Sequence, residues 1–252
     1  MRFRFTAFGL HLLGSAAALS LILGALYAGW YRWPGWYLTA VLHVVTILLI
    51  VDLALGPTLT LIIASPGKPR RELARDIGVI VTVQLVALIY GAATLWLGRP
   101  LYYTFSADRL EVVQASDIDA AELALARRNN PALAPHWYSR PRWVWAPLPE
   151  DPHEAEKIVN SAIFGGRDVI DMPRYFRPWA AGLTRLRGKL AVVADMKQLS
   201  AQEKQSVTAR LRSRRLSAEE RDALIMWGVN NTRLVAVFDP DTLAIRAFLR
   251  SD

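Results

Sequence analysis

The residues that could do chemistry first appear inside an apolar run, LLIVDLALGPTLTLII, at positions 48–63. Asp52 places a carboxylate in what otherwise resembles a bilayer-spanning helix, at a cost of about 3 kcal/mol near the helix centre. Gly56-Pro57 then interrupts the same helix, because proline has no N–H to bond the carbonyl of Leu53 and its ring clashes with that carbonyl. A carboxylate beside a freed carbonyl predicts a polar notch in an apolar helix.

Polar side chains of two neighbouring apolar runs lie at depths that could serve Asp52. With a rise of about 1.5 Å per residue, Asp52 lies about 16 Å from the end of its helix. The same count places Ser15, Gln84 and Tyr90 near that level, and we expect them to be its hydrogen-bond partners. Asp52 could hold the helices together, contact a membrane helix of another protein, or relay a proton. Intramembrane proteolysis would need a second aspartate at similar depth, and the neighbouring runs contain none.

The composition and the absence of familiar motifs exclude several function classes. The chain has 252 residues, no cysteine and a net charge of +8, without a basic run dense enough to predict nucleic-acid binding. The absence of cysteine excludes disulfides and thiolate metal sites. There is no glycine-rich phosphate loop, no Gly-x-Ser-x-Gly and no metal-spaced histidine cluster. We therefore predict no enzymatic activity and no cofactor.

Three apolar runs, at about residues 5–27, 37–64 and 77–97, are each long enough to cross a bilayer. Lysine and arginine in short loops predict orientation, since they favour the cytoplasmic side. The loop at residues 65–76 is basic, as is the N-terminus, whereas the loop at residues 29–36 carries only Arg32. The charges predict a cytoplasmic N-terminus and place everything after residue 97 on the opposite side. Residues 1–98 would form a three-helix transmembrane domain and residues 99–252 a periplasmic domain.

The second half predicts an α+β domain. A hairpin is expected to leave the membrane at Leu101–Val112, where apolar residues alternate around a Ser-Ala-Asp-Arg turn. Gly165-Gly166 and Gly228 are typical of helix C-termini. Capping patterns predict four helix starts, at Ser116/Asp119, Asp151/Glu154, Ser200/Glu203 and Ser217/Glu220. Further strands are predicted at Val144–Pro147, Leu190–Ala194, Arg233–Phe238 and Ala244–Leu249.

Several stretches resemble the type IV pilin accessory proteins, which are inner-membrane proteins of bacteria. They are DLALGPTLTLI in the second run, SPGKPRRELARDIGVI after it, and QLVALIYGAATLWLGRPLYYTFSADRLEVV around the third run's end, with PRYFRPW later. The resemblance covers the first 115 residues well and the rest loosely. The positions that match the family's motifs are Asp52, Gly56, Pro57, Gly67, Lys68, Gly98, Arg99, Pro100, Phe105, Asp108 and Arg109.

The resemblance implies a non-enzymatic accessory protein that promotes assembly or modulates dynamics of type IV pili. Its implied partners are the cognate major pilin, other inner-membrane assembly proteins and membrane lipid. A pilin awaiting assembly is a single apolar helix with a periplasmic head, so the notch at Asp52 could receive that helix. The alternative is a membrane-anchored periplasmic ligand sensor or enzyme. At the membrane exit, Gly98-Arg99-Pro100 predicts a helix end and a strand at Leu101–Phe105, with Arg99 paired to Asp108.

Overall fold

The computed structural model describes residues 2–65 and 67–251. It divides the chain into two compact units. The first comprises Met1–Arg32 and Val41–Gly98, and the second comprises Trp33–Ala40 and Arg99–Asp252. The segment between the first two long helices thus packs with the residues that follow the third, although residues 41–98 separate the two parts in sequence.

The first unit consists of three long apolar helices, Arg2–Gly29, Val41–Ile63 and Arg70–Leu97, each long enough to cross a membrane. Their outward faces carry many exposed leucine, isoleucine and valine side chains, as expected for helices solvated by lipid. The second helix begins at Val41, later than the apolar run suggested. Residues Gly35–Leu38 form a separate short helix that belongs to the second unit.

Close packing joins the second and third helices. Gly91 lies against Leu48, and a methyl group at Gly91 would come within 2.5 Å of a Leu48 side-chain carbon. At the end of the bundle near residue 97, the Tyr31 hydroxyl donates to the Leu95 carbonyl oxygen at 2.6 Å. The rings of Trp30 and Trp96 meet edge to face there, 4.9 Å apart. Small residues and aromatic contacts therefore set the spacing of the helices.

The second unit is built on one sheet of seven strands in the order β4-β3-β1-β2-β5-β6-β7. β1 lies inside the sheet, pairing antiparallel with β2 and parallel with β3, and β2, the central strand, pairs parallel with β5. β6 pairs antiparallel with both β5 and β7. The strands are β1 Pro100–Ser106, β2 Arg109–Gln114, β3 Arg142–Trp145, β4 Arg177–Pro178, β5 Ala223–Trp227, β6 Arg233–Phe238 and β7 Ile245–Arg250. Helices accompany the sheet at Ala120–Asn129, Pro152–Ile163, Leu183–Arg187 and Ala201–Ser213. This confirms three membrane helices followed by an α+β domain.

Leu38, from the short helix after the first span, is part of the core of this domain. It is 0% exposed and packs in a cluster with Phe105, Leu234 and Phe238. Its carbonyl oxygen accepts a hydrogen bond of 3.1 Å from the Thr232 hydroxyl. The loop between the first two spans is therefore a structural element of the extramembrane unit.

Local capping chemistry predicts two of the four helix starts correctly. Asp151 caps the helix that begins at Pro152, and Ser200 with Glu203 forms a reciprocal capping box. The first start lies later than predicted, because Asp119 itself caps Ala120–Asn129 by accepting from the Glu122 N–H at 2.7 Å. The helix predicted at Ser217 is wrong: residues 218–221 form bends. The chain has only a few residues there before it must enter β5.

The predicted hairpin and the strand at Arg233–Phe238 are confirmed. The strand predicted at Leu190–Ala194 is reduced to one bridge between Ala191 and Ala223, because a 3₁₀ turn begins at Val193. Gly165 follows its helix with φ +78°, as a helix-ending glycine does. Gly228 instead follows β5, where a side chain would come within 2.2 Å of the Leu38 carbonyl oxygen.

Candidate functional site

Asp52 lies in a π-helical turn in the middle of the second span. The turn covers Ile50–Leu55, and the Gly56 N–H closes it by bonding the Val51 carbonyl. Pro57 follows directly, at the start of the next helical turn. The wider turn changes the hydrogen-bonding pattern just before Pro57, so the missing N–H of proline does not break the helix. The helix therefore continues to Ile63. Single π-helical turns inside α-helices are rare, and many of those known lie at functional sites.

Gln84 of the third span packs against this turn. Its amide Nε2 donates to the main-chain oxygens of Val51 and Asp52 at 3.4 and 3.3 Å, and to Asp52 Oδ1 at 3.4 Å. These are long hydrogen bonds shared by two N–H groups. Gly56 makes the approach possible, since a methyl group there would lie 2.1 Å from the Gln84 side chain. Spans two and three are therefore joined at the residues that disturb the apolar pattern.

A second polar contact links the first and second spans. His11 Nδ1 lies 2.6 Å from Thr60 Oγ1. Neither residue was predicted to belong to the site, although the depth count that selects Gln84 also places both polar groups in the same half of the bundle. A residue-by-residue comparison of polar side chains along all three spans would have found the pair.

These polar groups line a groove in the three-helix unit with a volume of about 510 Å³. Asp52 is only 3% exposed, and its Oδ2 has no hydrogen-bond partner among the residues that the structure describes. The same is true of Gln84 Oε1. The Gln84 oxygen is an acceptor, as is a carboxylate oxygen of Asp52, and no donor among the described residues bonds either atom. The groove is lined by Ala7, Leu10, His11, Gly14, Ser15, Ala18, Asp52, Thr60, Ile77, Val81, Gln84, Leu85 and Leu88.

The structure brings together some of the residues expected around Asp52 and leaves one apart. Gln84 contacts Asp52, whereas Ser15 lines the same groove without a hydrogen bond to it. Tyr90 is 75% exposed on the outer surface of the third helix. Gln84 and Tyr90 are six residues apart, which places their side chains about 120° apart around a helix of 3.6 residues per turn. Depth alone cannot distinguish the two faces.

The membrane-exit motif does not form one site, because its residues lie at both ends of β1. The third helix ends at Leu97 with Gly98 as its cap, and β1 begins at Pro100, as predicted. Buried Arg99 donates to the Trp137 carbonyl oxygen at 3.2 Å. The predicted pair of Arg99 with Asp108 is wrong. Asp108 lies beyond the far end of β1, about 20 Å away at about 3.3 Å per strand residue.

At that far end, Arg109 is the centre of an ion-pair cluster. It contacts Glu111 closely and lies 3.5 Å from Asp168 and 3.9 Å from Asp108. Burial raises the pKa of Glu111, and the Arg109 guanidinium opposes that rise. The neighbouring carboxyl of Asp171 has its pKa raised to about 6, chiefly by burial and further by nearby carboxylates. Phe105 is buried in the core. These residues hold the hairpin and the loop around Asp168 together.

The polar side chains that line the groove are one carboxylate, one amide, one imidazole and two hydroxyls. Asp52 has an amide neighbour but no second carboxylate in the groove, and the described residues contain no group of three or more His, Asp or Glu that could hold a metal ion. Lys68, the other charged motif residue of this unit, forms an ion pair with Asp76, and Gly67 stands beside it in the loop.

Two relatives align with most of the chain. A protein of Dichelobacter nodosus named fimbrial assembly protein, serogroup I, is 28% identical over 225 residues, which cover 87% of this chain and 85% of the relative. The serogroup E1 protein of the same organism aligns with the same identity and coverage. No family model matches the chain, and no solved structure matches it.

A third relative covers half of the chain. The fimbrial assembly protein of serogroups C1 and C2 from Dichelobacter nodosus is 32% identical over 127 residues, which are 97% of its own length and 50% of this chain. All three relatives are named fimbrial assembly proteins, which supports the predicted resemblance to a family related to type IV pilus assembly. The chain therefore belongs to the family of fimbrial assembly proteins, a family related to type IV pilus assembly.

Proposed function

We propose that this protein is a non-enzymatic accessory protein of type IV pilus assembly that acts in the bacterial inner membrane by contacting the cognate major pilin. The observation that carries the proposal is the alignment of 225 residues, including both units, with relatives named fimbrial assembly proteins. Three apolar helices of membrane-spanning length support the membrane location.

The groove at Asp52 is the site proposed for pilin contact. It is open between helices whose outer faces suit lipid, so another membrane helix can reach it laterally. Its apolar lining suits a helix of leucine, isoleucine and valine, and its buried Asp52 and Gln84 acceptors offer hydrogen bonds to a donor on that helix. A buried acceptor without a donor is costly, so such a donor would favour binding.

The extramembrane unit is proposed to face the periplasm. Residues 33–40 and 99–252 form one compact unit, which supports placing the first loop and the domain on the same side of the membrane. The basic residues of the N-terminus and of the second loop favour a cytoplasmic position for these two segments, on the side of the membrane opposite the domain. The domain would then stand on the same side as the globular head of an unassembled pilin.

A null mutant and its complementation test this function. We expect the mutant to shed less pilin by shearing while its cells retain normal amounts of major pilin, because assembly rather than synthesis is impaired. Expression of the wild-type chain in trans should restore the sheared fraction. Unchanged piliation in the null mutant at matched pilin levels would refute the proposed function.

One observation favours the alternative of a periplasmic ligand sensor. The extramembrane unit has a cavity of about 680 Å³, within the size range of small-molecule sites. Its wall carries more basic than acidic side chains, namely Arg109, Arg177 and Arg185 against Glu150 and Asp168. A null mutant with normal piliation, together with a small anionic compound that raises the unfolding temperature of the purified protein, would favour this alternative.

A further inference from the structure

Exposed aromatic residues lie in the long loop that precedes β3. Trp137 is 71% exposed and Tyr138 is 59% exposed, and both adjoin His136. The rings of Trp137 and Tyr138 meet edge to face at 5.4 Å, and the His136 ring stacks on Tyr138 at 5.6 Å. Large aromatic side chains are costly to leave in water, so their grouping at one loop tip indicates a surface that something covers.

The loop is held in a defined conformation. Arg142 donates to the carbonyl oxygens of Ala132, Leu133 and Ala134 at 3.1, 2.9 and 3.2 Å. At the tip, the Ser139 hydroxyl accepts from the His136 N–H at 2.8 Å. The aromatic group is therefore presented by an ordered support.

Strand topology places this tip at the end of the sheet where the chain leaves the third span. β1 begins three residues after that helix ends at Leu97. β3 runs parallel to β1, with Arg142 opposite Tyr102, so the residues before Arg142 lie beside the start of β1. The hydrogen bond of 3.2 Å from Arg99 to the Trp137 carbonyl joins the tip directly to the first residue after Gly98. Within the second unit, the loop is thus next to the residue at which the chain continues from the third span.

We propose that the tip at residues 136–140 is a membrane anchor that inserts Trp137 and Tyr138 into the phospholipid headgroup region. Tryptophan and tyrosine favour this region because each has an apolar ring and a polar group that stays hydrated. Exposed Arg140 adjoins them and suits the phosphates of anionic lipid. The anchor would fix the extramembrane unit close to the bilayer, independently of any contact with pilin.

The absence of cysteine from the chain allows a clean test by single-site labelling. The full chain would carry Arg140→Cys, labelled with an environment-sensitive fluorophore, in nanodiscs of phosphatidylethanolamine and phosphatidylglycerol. The matched control is Asp241→Cys, in the exposed β6–β7 turn. β2 runs antiparallel to β1, β5 runs parallel to β2, and β6 runs antiparallel to β5, so β6 has the same direction as β1. The turn that follows β6 therefore lies at the end of the sheet opposite the start of β1. Lipids that carry a quencher in the headgroup region should quench the label at 140 and leave the label at 241 bright.

A second variant separates insertion from mere proximity. Trp137→Ser with Tyr138→Ser, in the Arg140→Cys background, should lose the quenching by lipid and gain quenching by aqueous iodide. Equal iodide quenching at 140 and 241 in the parent chain, or lipid quenching that persists without the two aromatics, would overturn the anchor. Protection of residue 140 that requires added pilin would overturn it in favour of a protein contact.

Discussion

Leu38→Ala should destabilise the extramembrane unit, although residue 38 precedes the second membrane span. The side chain is fully buried in the core of that unit, so truncation leaves a cavity. Leu→Ala changes at such sites cost about 2–5 kcal/mol. A loss of about 3 kcal/mol shifts the folding equilibrium roughly a hundredfold, since about 1.4 kcal/mol corresponds to a factor of ten. A typical domain has a free energy of unfolding of about 5–15 kcal/mol, so this loss is about a third of the midpoint of that range.

Pulse proteolysis of the full chain in nanodiscs, across a urea series, measures this effect. The midpoint for cleavage of the extramembrane unit should fall in Leu38→Ala. Leu42→Ala, at a 54% exposed position in the second span, should leave the midpoint unchanged. Gly228→Ala is a second perturbation of the same contact, because its new methyl would lie 2.2 Å from the Leu38 carbonyl oxygen. Wild-type midpoints in both Leu38→Ala and Gly228→Ala would refute the claim that the first loop is part of this core.

The remaining predictions concern the groove, the topology and a titrating carboxyl. The Asp52→Leu protein should accumulate to near-normal levels, since an interhelical hydrogen bond is worth only about 0.6 kcal/mol on average. Cells that carry it should nevertheless yield less sheared pilin, and cells with Asp52→Asn should yield an intermediate amount. Normal yields in both would make Asp52 purely structural. A periplasm-active reporter should be active when fused after residue 252 and inactive within residues 65–76, and the reverse pattern would contradict the orientation. Asp171→Asn should stabilise the extramembrane unit at pH 7.5. The folded-state pKa is raised to about 6, so the ionised carboxyl is disfavoured in the folded state above that pH. The gain should shrink as the pH falls from 6 towards 4, and a gain independent of pH in urea unfolding would contradict this cause.

The elements that the sequence predicts well are those specified by nearby residues. Hydropathy over about twenty residues defines each span, and the DPDT turn with its flanking apolar residues defines β6 and β7. β5 at Ala223–Trp227 was not predicted, because a five-residue apolar run fits a buried strand or a helix equally well. The place of Leu38 in the core also escapes sequence analysis. Its contact with Thr232 joins residues 194 positions apart.

The same distinction applies to the candidate site. Counting rise per residue brings Gln84 to the level of Asp52, and the structure joins them. The count gives no angle around the helix axis, so it could not separate Gln84 from exposed Tyr90. The π-helical turn at Ile50–Leu55 was not predicted either. Proline indicates a disturbed helix, but whether the helix breaks or widens depends on what the neighbouring span supplies, here the Gln84 amide.

Site-specific photo-crosslinking in living cells tests the proposed contact with pilin most directly. A photoreactive amino acid at Ser15, on the wall of the groove, is compared with one at Tyr90, which is exposed on the outer face of the third helix. We predict a crosslinked product with the major pilin from position 15 and little or none from position 90, at equal protein levels. Pilin capture from position 90 but not from position 15, or from neither, would contradict the groove as the pilin-binding site.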